Sequence, residues 1–321
     1  MFFTKASIPE SPRPADIRSM DATSLSSISS CGHPLDTCGH AWGELRDSSP
    51  IRKDTSALRQ RMREEGHLFF RGFFPRDLIA RARISLLERL AENEGLFDRT
   101  HPLSEGVLVA EIKSPIGFTP EAALGNTALQ RVVFGPEIQE FYTRFLGGVV
   151  RHFDYIWVRS MGPGSGTRPH CDIVYMGRGT RELYTAWIPY GDVTYDIGGL
   201  IILEKSHLQS DRIAKYLNSD VDTFCSNNPE RHGWKFGGAL STNPVSLQKK
   251  FGGRWLGAEF RMGDLLTFRT DTVHASLDNH SDRLRLSTDT RYQLATEPVD
   301  ERWVGENPIG HGPAGRRGLI C

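Results

Sequence analysis

The chain has 321 residues, 38% of them hydrophobic, and its 39 Lys and Arg residues balance its 39 Asp and Glu residues. This composition is typical of a globular protein with a large core, and the absence of a basic excess argues against nucleic acid and anionic membranes as partners. No apolar run approaches the roughly 18 residues of a membrane span, and the N-terminus lacks the apolar core of a signal peptide, so we expect a cytoplasmic protein. The 5 cysteines favour free thiols over a disulfide framework.

Residues 1–50 are rich in Ser, Pro, Gly and Asp and show little periodicity, which indicates a partly irregular N-terminal arm. Within this arm a Cys-Gly-His unit occurs twice, so a zinc site is chemically possible. Its ligands would lie closer together in sequence than those of usual zinc fingers, and a turn-rich arm is the favoured interpretation. The four ligands of such a site would be Cys31, His33, Cys38 and His40.

The first half of the main domain supplies helices and edge strands. Residues 55–65 are predicted to form a helix that Gly66 ends, and residues 67–74 to form a buried strand. A helix then runs from Pro75 towards Gly95, and another occupies residues 136–146. The last of these begins with Pro and is followed by Gly, which is the usual order of residues at helix ends.

The second half changes to short strands separated by Gly, Asn or Asp turns, a spacing typical of an antiparallel barrel or sandwich of the jelly-roll kind. The predicted strands are 155–160, 170–175, 183–189, 200–203, 265–268 and 284–293.

A long stretch at residues 211–257 interrupts these strands and has weak periodicity. Long loops within compact domains are often functional, and the aromatic residues here favour a lid over the mouth of the barrel. The alternative is that the aromatic residues anchor an insertion to the outside of the barrel. The aromatic residues in question are Trp234, Phe236, Phe251 and Trp255.

The most informative short pattern is His170-Cys171-Asp172 at the start of a predicted strand. Because successive side chains of a strand point to opposite faces, His170 and Asp172 are expected to share one face. They would supply two of the three ligands in the 2-His-1-carboxylate triad that holds Fe(II) in non-haem oxygenases. A His-x-Asp pattern occurs three times in the chain, so the pattern alone is weak and a third ligand is needed.

His274 is the candidate third ligand, because it follows the predicted strand 265–268 and jelly-roll geometry brings distant strands together. Eleven residues later, Arg285 begins a run in which polar and apolar residues alternate. We expect the apolar face to pack under the helices of the first half and the charged face to line the cavity. Arg285 and Ser287 would then form a binding site for a dicarboxylate, and Asp289 could form an ion pair with Arg291.

These features resemble the phytanoyl-CoA dioxygenase family of Fe(II)/2-oxoglutarate-dependent oxygenases over roughly residues 55–295. The resemblance rests on the segment 64–74, the His170 pattern, Trp187 followed by Asp192 and the Gly-Gly strand at 198–207, and His274 with Arg285. The family usually has Pro-Gly-Ser-His where this chain has Glu-Lys-Ser-His at 204–207, a departure at a structural corner.

The resemblance implies a mostly β fold with flanking helices, a double-stranded β-helix of the jelly-roll, cupin-like kind. This domain would span residues 51–310 with a C-terminal tail at 311–321. It further implies Fe(II) as cofactor, 2-oxoglutarate as cosubstrate, and O2 and a small organic molecule as the other reactants. Fe(II) would be held by His170, Asp172 and His274, and the distal carboxylate of 2-oxoglutarate by Arg285 and Ser287, with Thr185 and then Arg159 as further candidates for the cosubstrate pocket.

The expected reaction converts 2-oxoglutarate and O2 to succinate and CO2 while the substrate is oxidised, most readily by hydroxylation. Related halogenases replace the carboxylate ligand with a small residue, whereas Asp172 is present here. Two alternatives remain: a barrel of the same descent that binds a ligand without turnover, and a cupin-type oxygenase that needs no oxoacid. The Arg285 and Ser287 pair argues against the second, and the sequence predicts neither the substrate nor the oligomeric state.

Overall fold

The computed structural model describes residues 28–93, 95–110, 117–227 and 237–319, and its centre consists of two β-sheets. The strands are β1 Ser29–Ser30, β2 His33–Pro34, β3 Trp42–Glu44, β4 His67–Phe70, β5 Gly117–Phe118, β6 Val150–His152, β7 Trp157–Met161, β8 Tyr184–Pro189, β9 Leu200–Leu203, β10 Thr223–Cys225, β11 Trp255–Gly257, β12 Leu265–Arg269, β13 His274–Ser276, β14 Arg285–Leu294 and β15 Arg317–Leu319. The larger sheet has seven strands in the order β4-β12-β8-β14-β7-β5, with β6 also paired to β14. The smaller sheet has four strands in the order β13-β9-β11-β3.

The two sheets pack face to face. One buried apolar cluster contains Trp187 and Phe268 from the larger sheet together with Ile202 and Leu256 from the smaller one. Interdigitating side chains between two such sheets form the core of a jelly roll. The predicted fold class, mostly β with flanking helices, is therefore confirmed.

The helices cover the outer face of the larger sheet, in a second apolar cluster that includes Leu286 and Tyr292 of β14. The apolar face of β14 thus packs under the helices, as the alternating pattern predicted, and its charged face turns inward. The α-helices are α1 Thr55–Glu65, α2 Arg76–Ala91, α3 Thr127–Val133, α4 Pro136–Leu146, α5 Ile173–Met176, α6 Ala214–Leu217 and α7 Pro244–Phe251, and short 3-10 helices occupy Ser49–Ile51, Leu103–Glu105, Pro120–Ala123, Tyr195–Ile197, Ser206–Ile213, Glu301–Trp303 and Pro313–Gly315.

The ends of α1 follow from local chemistry. The side chain of Asp54 accepts a hydrogen bond from the backbone N–H of Ala57 at 3.0 Å, which satisfies one free donor of the first turn. Gly66 ends the helix in a left-handed conformation with φ of 76°. Because glycine has no Cβ, it adopts this conformation at little energetic cost. A Cβ at this position would also collide with the ring of His207, so both the turn and the packing require glycine.

Two sequence-based expectations about the second half were wrong. Residues 170–175 do not form a strand, because only His170 pairs with another strand and the following residues form the short helix α5. Trp255 is not part of a lid, because it lies fully buried in β11 between β9 and β3. The partner strand β3 belongs to the segment expected to be an arm, so residues 42–44 complete the smaller sheet. Trp234 and Phe236 lie outside the described residues.

The end of the chain packs against the interrupting stretch. β15 pairs in parallel with β10, and the buried guanidinium of Arg302 bonds to the carboxylates of Asp220, Asp222 and Asp300. Arg302 also donates to the backbone carbonyl of Tyr175 at 2.9 Å, next to α5. These hydrogen-bonded carboxylates offset the cost of burying the positive charge of Arg302. The network also holds the C-terminal segment against α5.

The cysteines only partly follow the expectation of free thiols. Cys31, Cys38 and Cys171 are free, whereas Cys225 is disulfide-bonded, so the expectation was wrong for Cys225. In the part of the chain that the structure describes, no helix is long and apolar enough to cross a membrane.

Candidate active site

His170, Asp172 and His274 meet in the interior between the two sheets. Their side-chain ligand atoms all lie within 4.8 Å of one another, and Oδ1 of Asp172 is 3.6 Å from Nε2 of each histidine. All three residues are buried, with relative exposures of 6%, 2% and 4%. Two imidazole nitrogens and one carboxylate oxygen on one side of a small space are the donor set of the facial triad, which leaves open positions at a divalent iron.

The backbone brings the three side chains together in a way that differs from the expected strand. His170 and His274 exchange two backbone hydrogen bonds of 3.0 Å as an isolated antiparallel pair. The chain then leaves the pairing, since the N–H of Cys171 donates to the hydroxyl of Tyr216, and Asp172 precedes α5. The turn into this helix, not the alternation of a strand, therefore places Asp172 beside the histidines.

In each of the two histidines, a hydrogen bond from Nδ1 to a backbone carbonyl fixes the orientation of the ring. Nδ1 of His170 donates to the carbonyl oxygen of Arg168 at 2.7 Å, and Nδ1 of His274 to that of Thr272 at 3.1 Å. Because a carbonyl oxygen only accepts, each Nδ1 carries a proton, and Nε2 of each ring, which faces Asp172, is the candidate metal-binding nitrogen. Burial, with the neighbouring His170, lowers the pKa of His274 to about 3, so this ring is a neutral ligand at physiological pH.

The second carboxylate oxygen of Asp172 is held by two hydrogen bonds. Oδ2 accepts a hydrogen bond from the hydroxyl of Thr185 at 2.6 Å and one from Nη2 of Arg291 at 2.8 Å. Burial acts to raise the pKa of Asp172, but the positive charge of Arg291, with further contributions from the neighbouring His274 and His170, outweighs it, so the pKa lies well below its ordinary range. Thr185, an expected member of the cosubstrate pocket, thus orients a candidate metal ligand in this structure.

The expected pairing of Asp289 with Arg291 does not form. Arg291 reaches Asp172, while Asp289 accepts a hydrogen bond from Nε of Arg159 at 2.6 Å. Residues two apart on one face of a strand are nearly 7 Å apart, whereas neighbouring strands offer closer partners. Arg159 on β7 lies opposite Ser287, diagonally across from Asp289, and so captures this carboxylate.

Arg285 and Ser287 lie on the inward face of β14. Arg285 is only 3% exposed, and no described residue forms a hydrogen bond with its guanidinium. Burial, with the nearby charge of Arg159, lowers the pKa of Arg285 to about 10, so the group remains charged at neutral pH. The hydroxyl of Ser287 is buried and also lacks a partner within the described residues.

A narrow cavity connects Arg285 with the histidines. It is lined by His170, His274, Trp187, Asp289 and Arg285, among others. An unpaired guanidinium with a donor hydroxyl two residues on fits one carboxylate of a dicarboxylate. Arg285 shares this cavity with His170 and His274, so a carboxylate binder and candidate iron ligands border the same space, and the residues present fit both iron and 2-oxoglutarate.

A wider cavity of about 200 Å³ opens on the side of Asp172. Sequence reasoning missed it, because Phe118 and Trp157 carry no signal that distinguishes a cavity wall from ordinary core. The alternation along β14 predicts that Arg291 faces inward, but it does not predict that its partner is Asp172. This wider cavity is bordered by His170 and Asp172 and, around them, by Phe118, Trp157, Arg159, Thr167, Tyr175, Met176, Arg291 and His311.

A second group of possible metal ligands differs from the Cys-Gly-His expectation. The structure brings Cys38 and His40 together with Asp36, all three exposed. Cys31 and His33 do not belong to this group. The four-ligand zinc site that the repeated unit made possible is therefore not formed.

Comparisons with known proteins agree with this geometry. The family model for phytanoyl-CoA dioxygenase (PhyH) matches residues 62–287 of the chain. The chain is 25% identical over 263 residues to the 1-deoxypentalenic acid 11-beta-hydroxylase of Streptomyces exfoliatus, covering 78% of this chain and 85% of that protein.

Among solved structures, the chain is similar to the non-heme alpha ketoglutarate dependent epimerase SnoN from nogalamycin biosynthesis. The identity is 19%, the TM-score 0.54, and the match covers 80% of this chain and 93% of that one. The non-heme alpha ketoglutarate dependent carbocyclase SnoK from the same biosynthesis matches with 18% identity and a TM-score of 0.55, covering 80% of this chain and 90% of that one. At these identities the likeness establishes a shared fold, the double-stranded β-helix.

Proposed function

The chain belongs to the phytanoyl-CoA dioxygenase family, and on this premise we propose that it hydroxylates a small organic molecule with 2-oxoglutarate and O2. It is a non-haem iron, 2-oxoglutarate-dependent dioxygenase, an oxidoreductase. The observation that carries the proposed role of the site is the buried group of His170, Asp172 and His274, whose ligand atoms lie within 4.8 Å of one another. Hydroxylation is favoured because all three protein ligands are present and a relative over most of the chain is named a hydroxylase.

Each residue of the site has a role that its contacts support. Nε2 of His170, Nε2 of His274 and Oδ1 of Asp172 would bind iron, while Thr185 and Arg291 keep Asp172 in place through its other oxygen. When bound, iron and 2-oxoglutarate supply the oxidation chemistry, in which the cosubstrate is decarboxylated to succinate and O2 is reduced.

Arg285 and Ser287 would bind the distal carboxylate of 2-oxoglutarate. The guanidinium can offer two parallel N–H donors, and the hydroxyl a third donor, to the same two oxygens. Both groups are buried, so a bound carboxylate would be screened little by water and held in one position. The chain's own contribution to catalysis is therefore to orient the reactants and exclude water from the site.

The test is 2-oxoglutarate turnover by purified protein with Fe(II), followed as succinate release, beside His170→Ala and Arg285→Ala. We expect succinate from the wild type and a strong loss in both variants. A wild type that releases no succinate, or variants that match it, would contradict the proposal and favour a ligand-binding barrel without turnover.

The reaction type needs a separate measurement, because the structural neighbours include an epimerase and a carbocyclase. With a library of candidate substrates and ¹⁸O₂, mass spectrometry distinguishes three outcomes. Hydroxylation adds one labelled oxygen atom, desaturation or ring closure removes two hydrogen atoms, and epimerisation leaves the mass unchanged. We expect the labelled oxygen atom.

A further inference from the structure

The wider cavity beside Asp172 combines an apolar wall with positive charge. Its volume of about 200 Å³ is below the range of about 300 to 1,000 Å³ that is usual for pockets of drug-sized ligands, so it suits a compact molecule. The apolar part of the wall consists of Phe118, Trp157, Tyr175 and Met176, and the charged part of Arg159, Arg291 and the carboxylate of Asp172, with His311 at the border.

The two arginines of this wall differ in exposure. Arg291 is 1% exposed, donates from Nη2 to Asp172, and stacks its guanidinium over the ring of Trp157 at 4.4 Å. Its Nε and Nη1 are buried and have no partner among the described residues. The side chain of Arg159 is 24% exposed and uses Nε for its bond to Asp289. Its two Nη atoms have no hydrogen-bond partner among the described residues, and Arg159 borders both the wider and the narrow cavity. Arg159 can therefore offer donors to a molecule in the wider cavity.

The charges around the site point to the sign of that molecule. Arg159, Arg285 and Arg291 carry three positive charges, and Asp172 and Asp289 carry two negative ones; imidazole nitrogens that bind a metal add no charge. A bound Fe(II) and a bound 2-oxoglutarate dianion cancel each other. The loaded site thus keeps one positive charge, and a charge removed from water without a partner is costly.

We propose that Arg159 selects the substrate, and that the substrate is a compact hydrocarbon monocarboxylic acid. Its carboxylate would accept from the Nη atoms of Arg159, and its hydrocarbon part would pack against Phe118 and Trp157. One negative charge balances the loaded site, and the apolar wall buries the rest of the molecule. This inference rests on the proposed function and adds the chemical class of the substrate to it.

The test uses isothermal titration calorimetry on the full chain loaded with Fe(II) and 2-oxoglutarate without oxygen, so no turnover occurs. The probes are adamantane-1-carboxylate and its neutral analogue 1-adamantanemethanol, which share one compact apolar skeleton. We expect the acid to bind about tenfold or more tightly than the alcohol, since a hydrogen bond to a charged group is worth at least that factor.

Two variants locate this preference. Arg159→Met combined with Asp289→Asn removes the Nη donors without leaving a bare buried carboxylate and without changing the net charge of the loaded site, so we expect this protein to lose most of the preference for the acid. Arg151→Met, which changes an exposed arginine on β6, is the matched control and is expected to keep the full preference. Binding of 2-oxoglutarate is measured in parallel for each protein.

The outcomes separate the inference from the function on which it rests. If the wild type fails to bind 2-oxoglutarate with Fe(II), the proposed function itself is wrong. If it binds 2-oxoglutarate but not the acid, or binds acid and alcohol equally, only the inference is overturned. A double variant that loses 2-oxoglutarate binding would place Arg159 in the cosubstrate site, and one that keeps the preference for acid would exclude Arg159, so both results also overturn it.

Discussion

The hydroxyl of Thr185 on β8 donates to Oδ2 of Asp172 at 2.6 Å, which turns the other oxygen towards the two histidines. Residues that orient a metal ligand in this way typically account for about 10-fold to 100-fold in metal affinity. We therefore expect Thr185→Val to weaken Fe(II) binding by about that factor, measured by competition with a metal-binding dye.

The matched control is Thr288→Val, which removes another buried hydroxyl from the same sheet. Thr288 donates to the hydroxyl of Tyr190 at 3.1 Å, on the face of the sheet away from the ligands. Both substitutions should cost about 1 kcal/mol of folding free energy, but only Thr185→Val should change iron affinity. Equal iron affinity in the two variants would show that Thr185 does not act through Asp172.

Ser287→Ala should separate stability from binding. The hydroxyl of Ser287 is buried without a partner among the described residues, and an unsatisfied buried polar group costs about 1 to 3 kcal/mol. We expect the variant without ligand to unfold at equal or higher denaturant concentration than the wild type, yet to bind 2-oxoglutarate several-fold more weakly. A less stable variant with unchanged binding would show that the hydroxyl has a structural role.

Arg285→Lys should weaken the binding of 2-oxoglutarate, because a single ammonium cannot form two parallel hydrogen bonds with a carboxylate. The loss of one such bond corresponds to about tenfold to hundredfold in the dissociation constant. Arg283→Lys, two residues earlier and 48% exposed, is the control and should leave the constant unchanged. Unchanged affinity in Arg285→Lys would mean that the cosubstrate binds elsewhere.

The pattern of helices and strands was largely predictable where local chemistry decides it. The helix Pro136–Leu146 has Pro at its first turn and Gly147 with φ of 83° at its end, and the sequence predicts the same bounds. The strand Leu200–Leu203 was likewise predicted correctly. Such elements need little more than their own residues to be recognised.

The segment after His170 shows why the rest was not predictable. A short apolar run with no clear period fits a buried strand and a buried helix equally well. The choice is made by distant groups, the hydroxyl of Tyr216 and the carbonyl of Thr270, which take up backbone N–H groups of residues 171 and 173. The pairing of Arg291 with Asp172 has the same cause, since it depends on which strands become neighbours.

Stability should fall in mild acid because of two buried histidines close to the end of α1. His67 donates from Nδ1 to the carbonyl of Glu65, and His207 donates from Nε2 to that of Arg63. Burial lowers the pKa of each below its ordinary value of 6.5. The unfolded chain therefore takes up protons below about pH 6.5 that the folded chain excludes, and the free energy of unfolding decreases as the pH falls.

The size of this effect is at most about 1.4 kcal/mol per histidine for each pH unit below the ordinary value. Denaturant unfolding of the metal-free protein at pH 7.5 and at pH 5.5 measures it. His67→Asn and His207→Gln each keep the nitrogen that donates but do not titrate, so the double variant should lose less stability on acidification than the wild type. An equal loss in both proteins would assign the acid sensitivity to other groups.

The central claim is that one buried site holds iron and 2-oxoglutarate together, with His170, Asp172 and His274 at one end and Arg285 at the other. The most direct measurement is an anaerobic titration of the Fe(II)-loaded protein with 2-oxoglutarate, followed by the visible charge-transfer band that forms when the cosubstrate binds to iron. We predict a saturable band with one iron per chain in the wild type, no band in His170→Ala, and a band that needs much more 2-oxoglutarate in Arg285→Ala. A wild type that forms no band, or variants that titrate as it does, would contradict the account.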